Sequence, residues 1–88
     1  MPRSKPAICR VIHTILEEKG VLDRVDEIQY ATKFTVWHEC QQAVLVVYDT
    51  GTIVVQGRPS GLHRWLQQLE IAVTSNRLVP PLPLAEEE

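Results

Sequence analysis

The stretch Ala43-Val44-Leu45-Val46-Val47-Tyr48-Asp49-Thr50-Gly51-Thr52-Ile53-Val54-Val55-Gln56 decides the fold. Its first six residues are almost wholly apolar and rich in β-branched side chains, which suit a pleated surface buried on both sides and read as a central strand. Asp49-Thr50-Gly51-Thr52 interrupts the run, and 52–56 resumes it. Gly51 supplies the positive φ that a tight hairpin turn requires, so the two runs pair antiparallel. With a two-residue loop at Thr50-Gly51, Tyr48 faces Ile53, Val47 faces Val54, Val46 faces Val55 and Leu45 faces Gln56. Strand side chains alternate, so this register also assigns the faces of the sheet.

Upstream, 28–38 alternates Ile28, Tyr30, Thr32, Phe34, Val36 and His38 with Gln29, Ala31, Lys33, Thr35 and Trp37. Period two predicts one strand, joined to the next by a polar connection around Glu39-Cys40-Gln41-Gln42. Further upstream, Ile8, Val11, Ile12, Ile15 and Leu16 recur at helical spacing, with Ser4 as N-cap, Pro6 in the first turn and Gly20 as C-cap. Asp23, Asp26 and Glu27 read as solvated charges in the link between that helix and the first strand. Downstream, Gly57-Arg58-Pro59 ends the third strand and Ser60 caps a second helix. Leu62, Trp65, Leu66, Leu69 and Val73 form its apolar side. From Thr74 on, three prolines in four residues and the closing Glu86-Glu87-Glu88 predict an extended tail.

The order is helix, three-stranded antiparallel sheet, helix: one α+β domain over 1–73, with a Pro-rich and acidic tail over 74–88. The helices cover one sheet face through Phe34, Val36, Val46, Tyr48, Ile53 and Val55. The other face then carries Lys33, Thr35, Trp37, Leu45, Val47, Thr52, Val54 and Gln56, edged by Arg58. No second helical layer remains to cover it. If instead Trp37 belongs to the core, the two faces are reversed.

Composition narrows the function. An 88-residue chain with 44% hydrophobic and 23% charged residues builds a single modest core. No apolar run approaches the roughly 20 residues of a membrane span, and 1–6 leads into charge-dotted sequence rather than a signal peptide's apolar stretch. A cytoplasmic protein is expected, with Cys9 and Cys40 reduced. Nine basic residues oppose eleven acidic ones, for a net charge of -2; without the last three glutamates the nine oppose eight, giving +1. A body this close to neutral speaks neither for nor against a polyanionic partner.

Catalysis finds no support in the residues. The acidic side chains do not converge as a general acid/base pair, and His13, His38 and His63 lack metal-ligand spacing. His38 and Cys40 share a side of the predicted strand, but nothing supplies further zinc ligands or an oxyanion hole. No glycine-rich phosphate loop is present. The expectation is a noncatalytic protein without cofactor or metal. The informative feature is the open face, where Trp37, Leu45, Val47 and Val54 form an apolar patch of the kind that usually has a partner. In the tail, Arg77 followed by Pro80-Pro81-Leu82-Pro83 has the pattern that SH3-type domains read, although such stretches commonly serve as linkers.

The middle of the chain resembles the N-terminal domain of ribonuclease HIII. The matching positions are Tyr30, Phe34, Tyr48, Thr50, Gly51, Gln56 and Gly57, within a resemblance that covers roughly 28–70. Ala31 stands where that family has glycine, and Thr52 where it often has lysine. The resemblance implies the fold of a single TATA-binding-protein repeat and an open sheet face that holds nucleic acid. The residues expected to contact DNA, RNA or a hybrid are Lys33, Thr35, Trp37, Val47, Thr52, Val54, Gln56 and Arg58. The alternative is a small protein-interaction module docking through the same face or the Pro-rich tail. Homodimerisation is expected as a way to hide the open face and the strand edges.

Overall fold

The computed structural model describes residues 6–81. Six elements follow one another: α1 (Ala7–Lys19), β1 (Leu22–Ile28), β2 (Ala31–His38), β3 (Gln41–Tyr48), β4 (Ile53–Gln56) and α2 (Gly61–Thr74). The strands form one antiparallel sheet in the order β1-β2-β3-β4. The fold is therefore α+β with an open four-stranded sheet, not the three-stranded one expected. Both helices lie on one face, α1 against β1 and β2, α2 against β3 and β4, and they also touch each other.

The additional strand comes from a segment whose period is broken. Leu22 pairs with Val36 and Arg24 with Thr35, so Asp23 is extra and forms a β-bulge. The bulge shifts the alternation by one residue, and four of the seven residues in β1 are charged, which together erase the strand signature. The stretch 28–38 is also not one strand. Ile28 pairs with Ala31 across a two-residue turn at Gln29-Tyr30, with Tyr30 at φ 66°. The expected polar connection shrinks similarly: Glu39 and Cys40 form the turn, both at positive φ (50° and 65°), and Gln41 and Gln42 belong to β3.

The β3–β4 hairpin is present, but its register is one residue away from the expected one. Val47 pairs with Ile53, Val46 with Val54, Leu45 with Val55 and Val44 with Gln56. The loop has three residues, Asp49-Thr50-Gly51, closed by Gly51 N–H to the Tyr48 carbonyl and Tyr48 N–H to the Thr52 carbonyl, with Gly51 at φ 95°. A one-residue slip exchanges the faces of a strand. Leu45 and Val47 therefore point to the helices and are fully buried, while Val46 and Tyr48 point to the open face. Val47 is corrected from contact residue to core residue. The faces of β2 and β4 are as expected.

The core consists of Phe34, Val36, Ala43, Leu45, Val47 and Ile53 from the sheet, Cys9, Ile12 and Leu16 from α1, Val21 from the link after it, and Leu62, Trp65, Leu66 and Leu69 from α2. Gly20 at φ 73° closes α1 as expected. The helix begins with Pro6 in the cap position; Ser4, the expected cap, lies outside the described residues. The start of α2 is held twice, because Ser60 Oγ accepts from His63 N–H at 3.1 Å and Gln41 Oε1 accepts from Leu62 N–H at 2.7 Å. Two of the donors a helix N-terminus leaves unpaired are thereby satisfied, one of them by the sheet itself.

The first part of the tail folds back. Asn76 adopts φ 58°, Arg77 N–H bonds the Ala72 carbonyl, Val79 packs against the core, and Trp65 Nε1–H donates to the Pro80 carbonyl at 2.9 Å. The rest of the expected tail, 82–88, lies outside the described residues. Among the described residues, no helix is long and apolar enough to cross a membrane.

Candidate functional site

Pairing across the four strands arranges the open face in rows. Trp37 and Gln42 form the first. Arg24, Thr35, Val44 and Gln56 form the second, and Asp26, Lys33, Val46 and Val54 the third. Ile28, Ala31 and Tyr48 form the fourth, with Thr52 bonded to Tyr48 through the backbone. The face carries its cations in the second and third rows, Arg24 and Lys33, and is largely apolar in the fourth.

Its polar end is an open depression of about 780 Å³. Arg24, Lys33, Thr35, Trp37, Cys40, Gln42, Val44 and Arg58 line it, together with Asp23 and Asp26. Of the expected contact residues, Lys33, Thr35, Trp37 and Arg58 thus meet in one place. Trp37 is 51% exposed, whereas Thr35, at 6%, is part of the floor. Gln56 is exposed on the β4 edge of the second row, Val54 is half-buried in the third, and Thr52 is exposed beside the fourth. Val47 lies on the opposite side of the sheet.

Three basic side chains, Arg24, Lys33 and Arg58, share the depression with two acidic ones, so its formal charge is only +1. Asp26 reduces the available positive charge further. It accepts from Arg24 through both carboxylate oxygens at 3.1 Å and stands across the ladder from Lys33. The Arg24–Asp26 pair is largely exposed, so it contributes little to stability, but it fixes the guanidinium at the rim.

Residue-by-residue reading missed Arg24, Gln42, Val46 and Tyr48 as members of this face. Arg24 was hidden by the bulge at Asp23, and the other three by the turn lengths that set the register of β3. The cue for β3 was present in Gly51, whose positive φ serves a three-residue loop as well as a two-residue one.

Elsewhere, Cys9, Arg10, His13, Val25, Glu27, Thr32 and Phe34 line a smaller cleft of about 280 Å³ between α1 and the sheet. His13 lies 5.8 Å from the Phe34 ring and 3.4 Å from the Glu17 carboxylate. Both cysteines are free thiols, Cys9 buried and Cys40 exposed. Among the described residues, no group of three or more His, Cys, Asp or Glu side chains converges as a metal site.

These elements define a small α+β protein whose antiparallel sheet is backed by helices on one face and open on the other. No family model, curated protein or solved structure matches the chain.

Proposed function

We propose that the protein is a noncatalytic nucleic-acid-binding domain whose contact surface is the open face of its sheet. The observation that carries this reading is Trp37, half exposed in a depression that also gathers Arg24, Lys33 and Arg58. An indole beside cations offers a nucleic acid a stacking surface for a base together with charge for its phosphates. Gln42 and Gln56 add amide groups able to donate to and accept from base edges. The helix, sheet, helix order supports the finer reading of a TATA-binding-protein-like repeat, with four strands in place of three. With two free thiols, the cytoplasm remains the expected compartment.

A second reading, protein docking through the same face, is favoured by its apolar end, where Ile28 is 44% and Tyr48 38% exposed. A homodimer would use this face rather than the strand edges. Charges and a bulge guard β1, and β4 has only four residues.

The test is a titration of labelled DNA and RNA oligonucleotides with the full chain at low and physiological salt. Trp37→Ala should weaken binding by about 1–3 kcal/mol while circular dichroism shows an intact fold. Lys33→Ala and Arg58→Ala should each make the salt dependence shallower by at most about one unit of slope. Absence of binding to any oligonucleotide at tens of micromolar protein and low salt would transfer the face to the protein-docking reading.

A further inference from the structure

The rows of the open face place two aromatic rings at its opposite ends. Trp37 stands in the first row, and Tyr48 pairs with Ala31 in the fourth. Six residue steps along β2 separate Trp37 from Ala31, which at strand rise is about 20 Å. Between the rings the surface recedes. Thr35 is 6% and Val46 4% exposed, against 51% for Trp37 and 38% for Tyr48. Along β2 and β3 the face is therefore a shallow floor of Thr35, Val44 and Val46, joined by Lys33, with an aromatic ring at each end.

Building on the nucleic-acid reading above, we propose that the ligand is a single strand laid along β2 and β3, with one base on Trp37 and a later one on Tyr48. Two features choose a single strand over a duplex. Stacking on a side chain needs the face of an unpaired base, which a duplex exposes only at its ends. A duplex would bind mainly through its phosphates, and the face has few charges to meet them. Of its three cations, Arg24 is held by Asp26, and Lys33 faces the same carboxylate across the ladder. A single strand needs fewer cations, because apolar and stacking contacts contribute the remainder. A strand stacked at about 3.4 Å per nucleotide spans about 20 Å with roughly six nucleotides, and a more extended one with fewer.

The experiment uses the full chain and labelled oligothymidylates of increasing length, from about two to about ten nucleotides, beside a blunt duplex. Affinity should step upward once the strand spans both rings, reach a plateau by about six nucleotides, and exceed that for the duplex about tenfold or more. Tyr48→Ala should abolish the step, whereas Tyr48→Phe, which keeps the ring, should retain it. Trp37→Ala should weaken binding at every length. Duplex binding equal to that of the longest single strand would overturn the proposal and leave the nucleic-acid reading standing, as would a length step that survives in a folded Tyr48→Ala. Failure of every oligonucleotide to bind would remove both. If Tyr48→Ala does not fold, the length series and duplex comparison on the unmutated chain decide the question alone.

Discussion

On the helix side of the sheet, Trp65 is 3% exposed and its indole N–H is bonded to the Pro80 carbonyl; on the open side, Trp37 is 51% exposed among Arg24, Lys33 and Arg58. The same residue type fills a core in one place and stands as a contact surface in the other. Ring size does not make the difference. Trp65 repeats at helical spacing with Leu62, Leu66 and Leu69 and packs into the core that both helices share with the sheet. Trp37 alternates with Val36, so one of the two must face away from the helices, and among the described residues no element covers that side. A sheet this small, with helices enough for one face only, leaves the other face to be covered by itself or by a ligand.

Substitutions on the two sides should separate most strongly in stability. Phe34→Ala removes a fully buried ring from the helix side, and urea unfolding should show a loss of about 3–5 kcal/mol. That is a large fraction of what a domain of this size possesses. Trp37→Ala, three residues along the same strand but on the open side, should cost under about 1 kcal/mol. Comparable losses for the two would mean that both faces are core and that the contrast between them fails.

A smaller effect is expected where the sheet caps a helix. Gln41→Ala removes the acceptor for Leu62 N–H and should cost about 1 kcal/mol, with Gln41→Glu retaining most of the stability because a carboxylate also suits a helix N-terminus. Equal losses in both variants would show that the side chain matters through packing and not through this hydrogen bond.

An effect of similar size has the opposite sign. Glu39 and Cys40 both hold positive φ in a two-residue turn that favours Asn-Gly. Glu39→Asn combined with Cys40→Gly should raise stability by about 1 kcal/mol in the same unfolding assay. A decrease would indicate that Cys40, which lines the depression, supports the open side of the sheet.

How much of this was legible in the sequence depended on whether turns announced themselves. The two helices were readable because Gly20 and Ser60 mark a helix end and a helix start by their chemistry. The exposure of Trp37 followed from simple alternation with Val36. The turn at Gln29-Tyr30 contains no Gly, Pro or Asn, and alternation ran straight through it, so two strands read as one. β1 stayed invisible because the bulge at Asp23 broke its period. β3 was found but turned over, since Gly51 signals a hairpin without stating whether its loop holds two residues or three. Of the site, Lys33, Thr35, Trp37 and Arg58 could be named in advance because they depended on β2 and on the residues after β4. Arg24 and Tyr48 could not, because the register that places them depends on turn lengths.

The two indoles also allow the most direct test of the account. In a proton–nitrogen correlation spectrum of the labelled protein, each tryptophan contributes one indole N–H signal, and a single-stranded oligonucleotide can be titrated against both. The Trp37 indole should shift together with the backbone amides of Arg24, Lys33, Gln42 and Arg58, while the Trp65 indole, bonded to the Pro80 carbonyl on the helix side of the sheet, stays in place. Movement of the Trp65 indole and the α1 and α2 amides with Trp37 unmoved, or no movement anywhere at saturating oligonucleotide, would contradict it.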